Sequence, residues 1–568
     1  MEKSAHYATS IAGAISTVSK PLPRWRRGPG LVLGLAALFW CCGWLPRSQA
    51  VPALAWTFWG GAALIGAWVL LLWRRAAARG RELEIDTAPL LRSHYIQASV
   101  QLCIYAYWGW HWPEVYAELP LILSQLVFLY CFEALLSWSR GRRWRLGCGP
   151  LPIVLSTNVF IWFKPELYGL QFLMMAVALL GKEFLRWERD GRRTHIFNPS
   201  AFALAIFSLG LLISGGTDEY SYAGRIADRI SQPEHIYLLI FALGLVVQHF
   251  FRITLMTLAA AAALLTLNAA HSYLTGTYWF LFSNLPLPIF LGLHLLMTDP
   301  STSPRTDVGK VLFGALYGTA SFVLYGVLSY LDMSTVYDKL LPVPLLNLSV
   351  RALDRFARGG TIGRLEALLA GCAPARLNRA YMGSWVLAFA GLHAAGHIGA
   401  PHEGNTFAFW QQALDEGRPR AAKGLVEFLK SQSRAGHPEA WNELGMCYLE
   451  GKLVGRDTLL AVRCFARASA LGSLAGAKNL VTQFLGANST QTPKSVAQAL
   501  DQLERVADAR ADGLACFLVG YAYESGHGRP RDLWRAYDLY ADGCRLGDEQ
   551  CCSAMRRLAP LQQPGRAR

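Results

Sequence analysis

Charge is what this chain has least of. Of 568 residues only 16% are Asp, Glu, Lys or Arg, against 53% hydrophobic, and the mean hydropathy is +0.25. That balance excludes an ordinary soluble protein of this length and points to a membrane protein. Cys-x-x-Cys pairs are absent among the twelve cysteines, which excludes metal-cluster spacing. No Ser-His-Asp or paired-carboxylate arrangement stands out, so no hydrolase chemistry is legible. Nucleic acid is excluded as a partner despite a net charge of +15, because the arginines cluster between apolar runs as cytoplasmic loops do. The first 29 residues are polar and basic, and the first apolar run lacks a small-x-small exit, so it is read as a retained span.

What is there is a series of apolar windows long enough to cross hydrocarbon, near 30–46, 53–73, 96–112, 119–138, 150–163, 168–185, 196–214, 234–251, 254–270, 278–297 and 311–331. Basic residues fall in alternate loops: Arg24, Arg26 and Arg27, then Arg74 to Arg81, then Arg140 to Arg145, then Lys182 to Arg193. The other loops carry little beyond Arg47, Lys164, Arg225 and Arg229. This alternation predicts a cytoplasmic N-terminus in a bacterial-type inner membrane.

Two polar breaks share that cytoplasmic side. One is Arg192-Arg-Thr-His-Ile-Phe-Asn-Pro-Ser200; the other is Met297-Thr-Asp-Pro-Ser-Thr-Ser-Pro-Arg-Thr-Asp-Val-Gly-Lys310. Each sets Asn-Pro or Asp-Pro at the margin of an apolar helix, where Pro fits the first turn and Asn, Asp, Ser or Thr caps open N–H groups. Such helix starts suit an anionic or carbonyl-bearing ligand. Two of them in two halves of a membrane domain predict a binding site at a cavity mouth. Plain loop-to-helix caps are the competing explanation.

Those motifs resemble the RnfD/NqrB family, the flavin-bearing membrane subunits of the ion-pumping Rnf and Nqr electron-transfer complexes. The resemblance rests on Thr194–Ala203, on Met297–Gly314 and on Leu345-Leu-Asn-Leu-Ser-Val-Arg-Ala-Leu-Asp354, and covers about residues 94–356. It implies ten helices in two inverted five-helix halves, on the plan of ammonium and urea channels. It also implies that 336–354 spans, which puts Arg355 to Arg379 on the cytoplasmic side and lets 381–399 cross last. The fold class expected is therefore all-α, a polytopic bundle. The cofactor implied is FMN or riboflavin, and the partners are membrane or redox subunits within the bilayer. The residues carried over to a flavin site are Asn198, Pro199, Ser200, Thr298, Asp299, Pro300, Thr302, Ser303, Thr306 and Gly309, with Arg193 or Arg305 near a phosphate. The family often links flavin to Thr in a Ser-Gly-Ala-Thr motif; the nearest match is Ser214-Gly-Gly-Thr217, which departs at its third residue. A standalone UnbU-like branch without assured covalent flavin is the closer likeness. A flavin-free channel-like or accessory protein is the alternative function, and a scaffold acting only through its tail is a third.

Beyond residue 405 the pattern becomes helical pairs with small residues. Ala440–Gly451, Asp457, Ala461 and Gly472 return at Ala515–Gly526, Asp532, Ala536 and Gly547, an offset of 75, or about two units of 37. The pattern resembles Sel1-like repeats, relatives of the tetratricopeptide class, and implies an α-solenoid that binds protein partners. Its expected side is extracytoplasmic if 336–354 and 381–399 both span, and cytoplasmic if only one of them does. The expected segments are 1–29 as basic N-terminus, 30–93 as two extra spans, 94–356 as the family-like domain, 357–404 as linker and 405–568 as repeats. His393, His397 and His402 set imidazoles at close spacing, which is more often chance than ligation. His111, His249 and His294 are the histidines inside apolar windows that merit functional suspicion.

Overall fold

The computed structural model describes residues 28–88, 92–189, 191–231, 233, 235–370, 373–487 and 492–559. The basic N-terminal arginines 24, 26 and 27 lie outside the described residues. The chain divides into two compact units. One joins Met1–Ala269 to Asn284–Ala400; the other joins Ala270–Ser283 to Pro401–Arg568.

In the first unit a helix lies under every apolar window. α1 (Gly28–Cys42) and α2 (Pro52–Ala77) precede two runs of five. The first run is α3 (Arg92–His111), α4 (Glu114–Ser139), α5 (Pro150–Asn158), α6 (Gly169–Phe184) and α7 (Pro199–Ser214). The second is α8 (Ile236–Phe251), α9 (Thr254–Thr275), α10 (Leu287–Leu291, extended by a π-turn over Gly292–Leu296), α11 (Asp307–Tyr330) and α12 (Pro342–Ala357). After them come α13 (Gly360–Ala370) and α14 (Pro374–Ala394). Among the described residues four helices are long and apolar enough to cross a membrane by length and composition: α2, α4, α9 and α11.

The two runs echo each other. The third helix of each is short and opens on Pro-Leu-Pro-Ile, at Pro150–Ile153 and Pro286–Ile289. Proline suits that place because the first helical N–H has no intrahelical partner. The first helices, α3 and α8, touch, and so do the last, α7 and α12. Where α5 stops, side-chain amides take over. Asn158 Nδ2 donates to Gln125 Oε1 at 2.7 Å, Gln171 Nε2 to Asn158 Oδ1 at 3.1 Å, and Gln125 Nε2 to the Tyr168 hydroxyl at 2.6 Å. Gln171 also serves the broken backbone, donating to Ile161 O and accepting from Phe163 N–H. Non-helical backbone away from water needs such partners.

α1 and α2 are not appended ornaments. Phe39 and Phe58 pack on Phe172 of α6, with ring centroids 5.0 and 5.7 Å away, and join one buried core with α4. α11 packs through Gly314 and Gly318, spaced as in close-packed membrane helices. A Cβ at Gly318 would lie 2.5 Å from Ala260 O, and one at Gly314 would overlap Met256 O.

The all-α expectation needs a correction: two small sheets are present. β1 (Ile85–Thr87) pairs parallel with β2 (Trp144–Leu146), and β3 (Arg186–Arg189) pairs antiparallel with β4 (Arg192–His195). The second is a hairpin whose turn includes Gly191, at φ 69°. Asp-Gly is the two-residue hairpin signal; in the sequence it was hidden among arginines assigned to topology.

The second unit is helical: α15 (Phe407–Asp415), α16 (Ala421–Ala435), α17 (Pro438–Glu450), α18 (Thr458–Ala470), α19 (Leu474–Gly486), α20 (Lys494–Asp508), α21 (Gly513–Ser525), α22 (Leu533–Arg545) and α23 (Glu549–Leu558). It also holds the end of α9 and the loop after it, which the sequence had placed with the other unit. Arg418 donates to Gly276 O at 2.9 Å, and Arg420 donates to Trp279 O at 2.9 Å while lying 4.5 Å over the Trp279 ring. Tyr278 stacks on His402 at 3.7 Å.

His402 makes this junction sensitive to acid. Its Nε2–H donates to Phe280 O at 3.0 Å, while Nδ1 is buried without a partner. Burial pushes its pKa from the ordinary 6.5 down to about 4. The unfolded chain therefore takes up a proton as pH falls through 6.5, and the folded chain resists until about 4. Stability is full above 6.5 and falls toward 4 by up to about 3 kcal/mol. Thermal unfolding of the full chain at pH 7 and pH 5 is expected to show this loss, and His402→Phe is expected to reduce it by the His402 share.

Candidate functional site

The two polar breaks meet. His195, at the end of β4, places Nε2 2.9 Å from Asp299 Oδ2. Asn198 caps α7: its Oδ1 accepts from Ser200 N–H at 3.1 Å and Ala201 N–H at 3.3 Å, with Pro199 in the first turn. Its Nδ2 crosses to the other break, donating to Leu296 O at 2.8 Å. Asn347 of α12 joins both, accepting from Asn198 N–H at 3.1 Å and donating to Thr302 O at 3.2 Å. Ser200 Oγ–H donates to Asn198 Oδ1 at 3.0 Å and Ser156 Oγ–H to Ser200 Oγ at 2.7 Å, which ties α5 to the same cluster.

The Asp299 loop is folded on itself. Ser301 N–H donates to Asp299 Oδ1 at 2.9 Å, Ser303 Oγ–H to Asp299 O at 2.7 Å, and Thr298 Oγ1–H to His294 O at 3.0 Å. Thr306 caps α11 through Gly309 N–H at 3.2 Å, and a Cβ at Gly309 would collide with that Thr306 hydroxyl. Pro300 is exposed. Burial pushes the Asp299 carboxyl upward, but the His195 bond and charge, the Ser301 N–H and the nearby Lys182 together hold it below the usual carboxylate range.

Asp354, at the end of α12, clamps the loop. Its Oδ1 accepts from Arg305 N–H at 2.9 Å, Thr306 N–H at 3.0 Å and Thr306 Oγ1–H at 2.8 Å. Its Oδ2 takes Arg189 Nη2–H at 2.8 Å, and Arg189 also donates to Ser303 O at 3.0 Å. Arg189 and Asp354 are 6% and 8% exposed, so this is a buried pair. The open N–H groups of α11 also find an anion, supplied by the chain itself. Glu366 of α13 accepts from Asp307 N–H at 2.9 Å and Val308 N–H at 3.1 Å. An anion at a helix start is what the sequence pattern predicts; here it is a carboxylate of the same chain.

Ten of the eleven expected residues thus share one cluster: Asn198, Pro199, Ser200, Thr298, Asp299, Pro300, Thr302, Ser303, Thr306 and Gly309. Thr217 does not. It follows the far end of α7, whose 16 residues span about 24 Å, and it is buried. The chain rises through α7 between the two motifs, so no local bend can unite them. A covalent flavin on Thr217 does not fit: the side chain is enclosed, and the helix it opens, Thr217–Tyr220, is a single turn. Residues the sequence reading left out are Arg189, His195, Asn347, Glu366 and Lys182. Their signal was polarity inside or beside apolar windows. Lys182 stands beside the start of α5, its Nζ 3.4 Å from where a Gly149 Cβ would be, with His94 close by. His94 is pushed down by burial and then by the Lys182 charge. Among the described residues no group of three His, Cys, Asp or Glu forms a metal cluster. His393 bonds to Ile398 O at 2.8 Å and His402 to Phe280 O, so both serve backbone.

The second functional surface is the repeat unit, where the offset of 75 holds in three dimensions. α17 and α21 have 13 residues each, as do α18 and α22. Gly445 faces Phe465 and Gly520 faces Tyr540, with an added Cβ 2.6 and 2.7 Å from the ring. Asp457 and Asp532 cap the second helices, and their N–H groups bond to Tyr448 O and Tyr523 O, both at 2.9 Å. One pair is exchanged: Gly476 faces Ala468 in the first copy, while Gly543 faces Cys551 in the second. Bulk on one helix is matched by its lack on the other, as close packing requires. The repeat family's model for the Sel1 repeat matches residues 438–473 and 513–548.

The C-terminal region carries Sel1 repeats.

The Sel1 repeat protein from Oxalobacter formigenes is 23% identical, over 23% of this chain and 95% of that one, with a TM-score of 0.20. The c5321 protective antigen of uropathogenic Escherichia coli strains, described as having an SLR fold, is 10% identical over 77% of this chain and 79% of that one, with a TM-score of 0.22. No curated protein matches. The Sel1 repeats mark this unit as a surface for protein partners. A disulfide joins Cys544 of α22 to Cys552 of α23. Its loop spans 8 residues, so Cys544→Ser is expected to lower stability by about 2 kcal/mol, read by thermal unfolding with and without reductant.

Proposed function

We propose that this chain is an integral membrane subunit of RnfD/NqrB type whose Sel1 repeats recruit a protein partner at the outer face. The observation that carries it is the pair of five-helix runs, each with a short proline-started third helix, whose polar breaks interlock through Asn198, Asn347 and Asp354. Repeat-built transport folds place their sites at such breaks. Thirteen crossings from a cytoplasmic start leave the C-terminus outside, in keeping with the arginine alternation. The repeat unit contains the loop after α9, so it lies on whichever face α9 ends. The Cys544–Cys552 disulfide suits an oxidising compartment.

Flavin-dependent electron transfer is the second reading. One observation favours it: beside the start of α5, Lys182 offers a cation and the neutral His94 ring an N–H donor for a phosphate, without using the consumed cap atoms. Such a flavin is noncovalent. Purification of the full chain decides between them. A yellow preparation whose flavin leaves on acid denaturation, and is lost in Lys182→Met, supports the second reading. A colourless preparation removes it and leaves the partner-recruiting membrane subunit. Pull-down with the full chain and with a chain lacking 405–568 tests the recruiting role; an unchanged set of partners would overturn it.

A further inference from the structure

We propose that His111 and His235 bind a divalent transition metal ion, zinc or copper, where α3 ends and α8 begins. His111 is the last residue of α3, and His235 is the residue before the first turn of α8. Their ring centroids are 5.6 Å apart at an interplanar angle of 81°. Two imidazoles on one tetrahedral ion, each at a metal–nitrogen distance of about 2.0–2.1 Å, have centroids roughly 5 Å apart. The pair is therefore within a small side-chain adjustment of ligation.

Four other histidines of the chain are held by partners. His195 faces Asp299, His294 bonds to Phe290 O, His393 to Ile398 O and His402 to Phe280 O. Among the described residues neither the His111 ring nor the His235 ring has a hydrogen-bond partner, and both residues are exposed. Tyr107, one turn before His111, completes a three-ring cluster, with centroids 4.9 Å from His111 and 5.6 Å from His235. Its hydroxyl is shielded and has no partner. A polar atom left so beside two open imidazoles is satisfied by a water on the ion. Glu114 follows closely but is held by Arg225 at 3.3 Å, so the remaining positions on the ion belong to water. Neutral imidazole pairs select zinc, copper and nickel over magnesium or calcium. The two ligands come from the first helices of the two runs, so a bound ion staples the halves together.

The test is titration of the purified full chain with Cu²⁺, followed by electron paramagnetic resonance, with Zn²⁺ as competitor. The expected result is one Cu²⁺ with two nitrogen donors, displaced only by a large excess of Zn²⁺. His111→Gln and His235→Gln each weaken binding by on the order of tenfold or more and leave at most one nitrogen at that site. Tyr107→Phe keeps both nitrogens. Unfolding temperatures without metal show that the variants are folded, and Zn²⁺ raises that of the native chain alone. No bound ion, or binding unchanged in both histidine variants, would overturn the proposal and leave the rings as an aromatic pair.

Discussion

Replacing Asp354 with Ala is expected to destabilise the protein by about 3–5 kcal/mol. Four donors depend on this carboxylate: the Arg189 guanidinium, two backbone N–H groups of the Asp299 loop, and the Thr306 hydroxyl. Removing it strands a guanidinium that is only 6% exposed. An uncompensated buried charge costs more than the pair contributes. Two further variants separate charge from hydrogen bonding. Asp354→Asn keeps an acceptor for the loop and should lose less. Arg189→Met combined with Asp354→Leu removes both charges and should recover part of the loss. Thermal unfolding of the purified protein measures all three. A double variant no better than Asp354→Ala would mean that the loop bonds, not the ion pair, dominate.

Gly314→Leu is expected to be the second severe change. A Cβ at Gly314 would run into the Met256 carbonyl oxygen, with the Ala259 Cβ 3.1 Å away. The obstacle is backbone of α9, which cannot turn aside as a side chain can. α11 must retreat from α9 along the Gly314 and Gly318 contact, at about 1–3 kcal/mol for the first methyl and more for the rest of Leu. Thr319→Leu is the control, because Thr319 is exposed on the same helix. The folded yield should fall for Gly314→Leu and hold for Thr319→Leu.

How much of this was legible depended on sequence distance. Local capping was plain: Asn198-Pro199 opens α7 and Thr306 opens α11, because a cap acts within three residues. The repeats were plain as well, since the offset of 75 needs only comparison of the chain with itself. The exchange of Ala468 and Gly476 for Gly543 and Cys551 was not, because each copy looks irregular until its facing helix is known. Distant partnerships stayed hidden. Arg189 and Asp354 are 165 positions apart, and no local pattern joins them. Glu366 lies in the segment expected to be linker, and nothing local ties it to the start of α11 that it answers. Thr217 was grouped with the breaks by motif alone, and the length of α7 separates them.

The most direct test of the account is the membrane side of the Sel1 repeats. In a chain with exposed Cys41 and Cys103 changed to Ser, one Cys is introduced at Trp534 or at Arg79, and intact cells are treated with a membrane-impermeant maleimide. The account predicts that Trp534→Cys, at a side chain 64% exposed, is labelled in intact cells. Arg79→Cys should be labelled only after permeabilisation. Labelling of Arg79→Cys in intact cells with Trp534→Cys protected would contradict the orientation, and labelling of both in membrane-free extract would contradict the membrane reading itself.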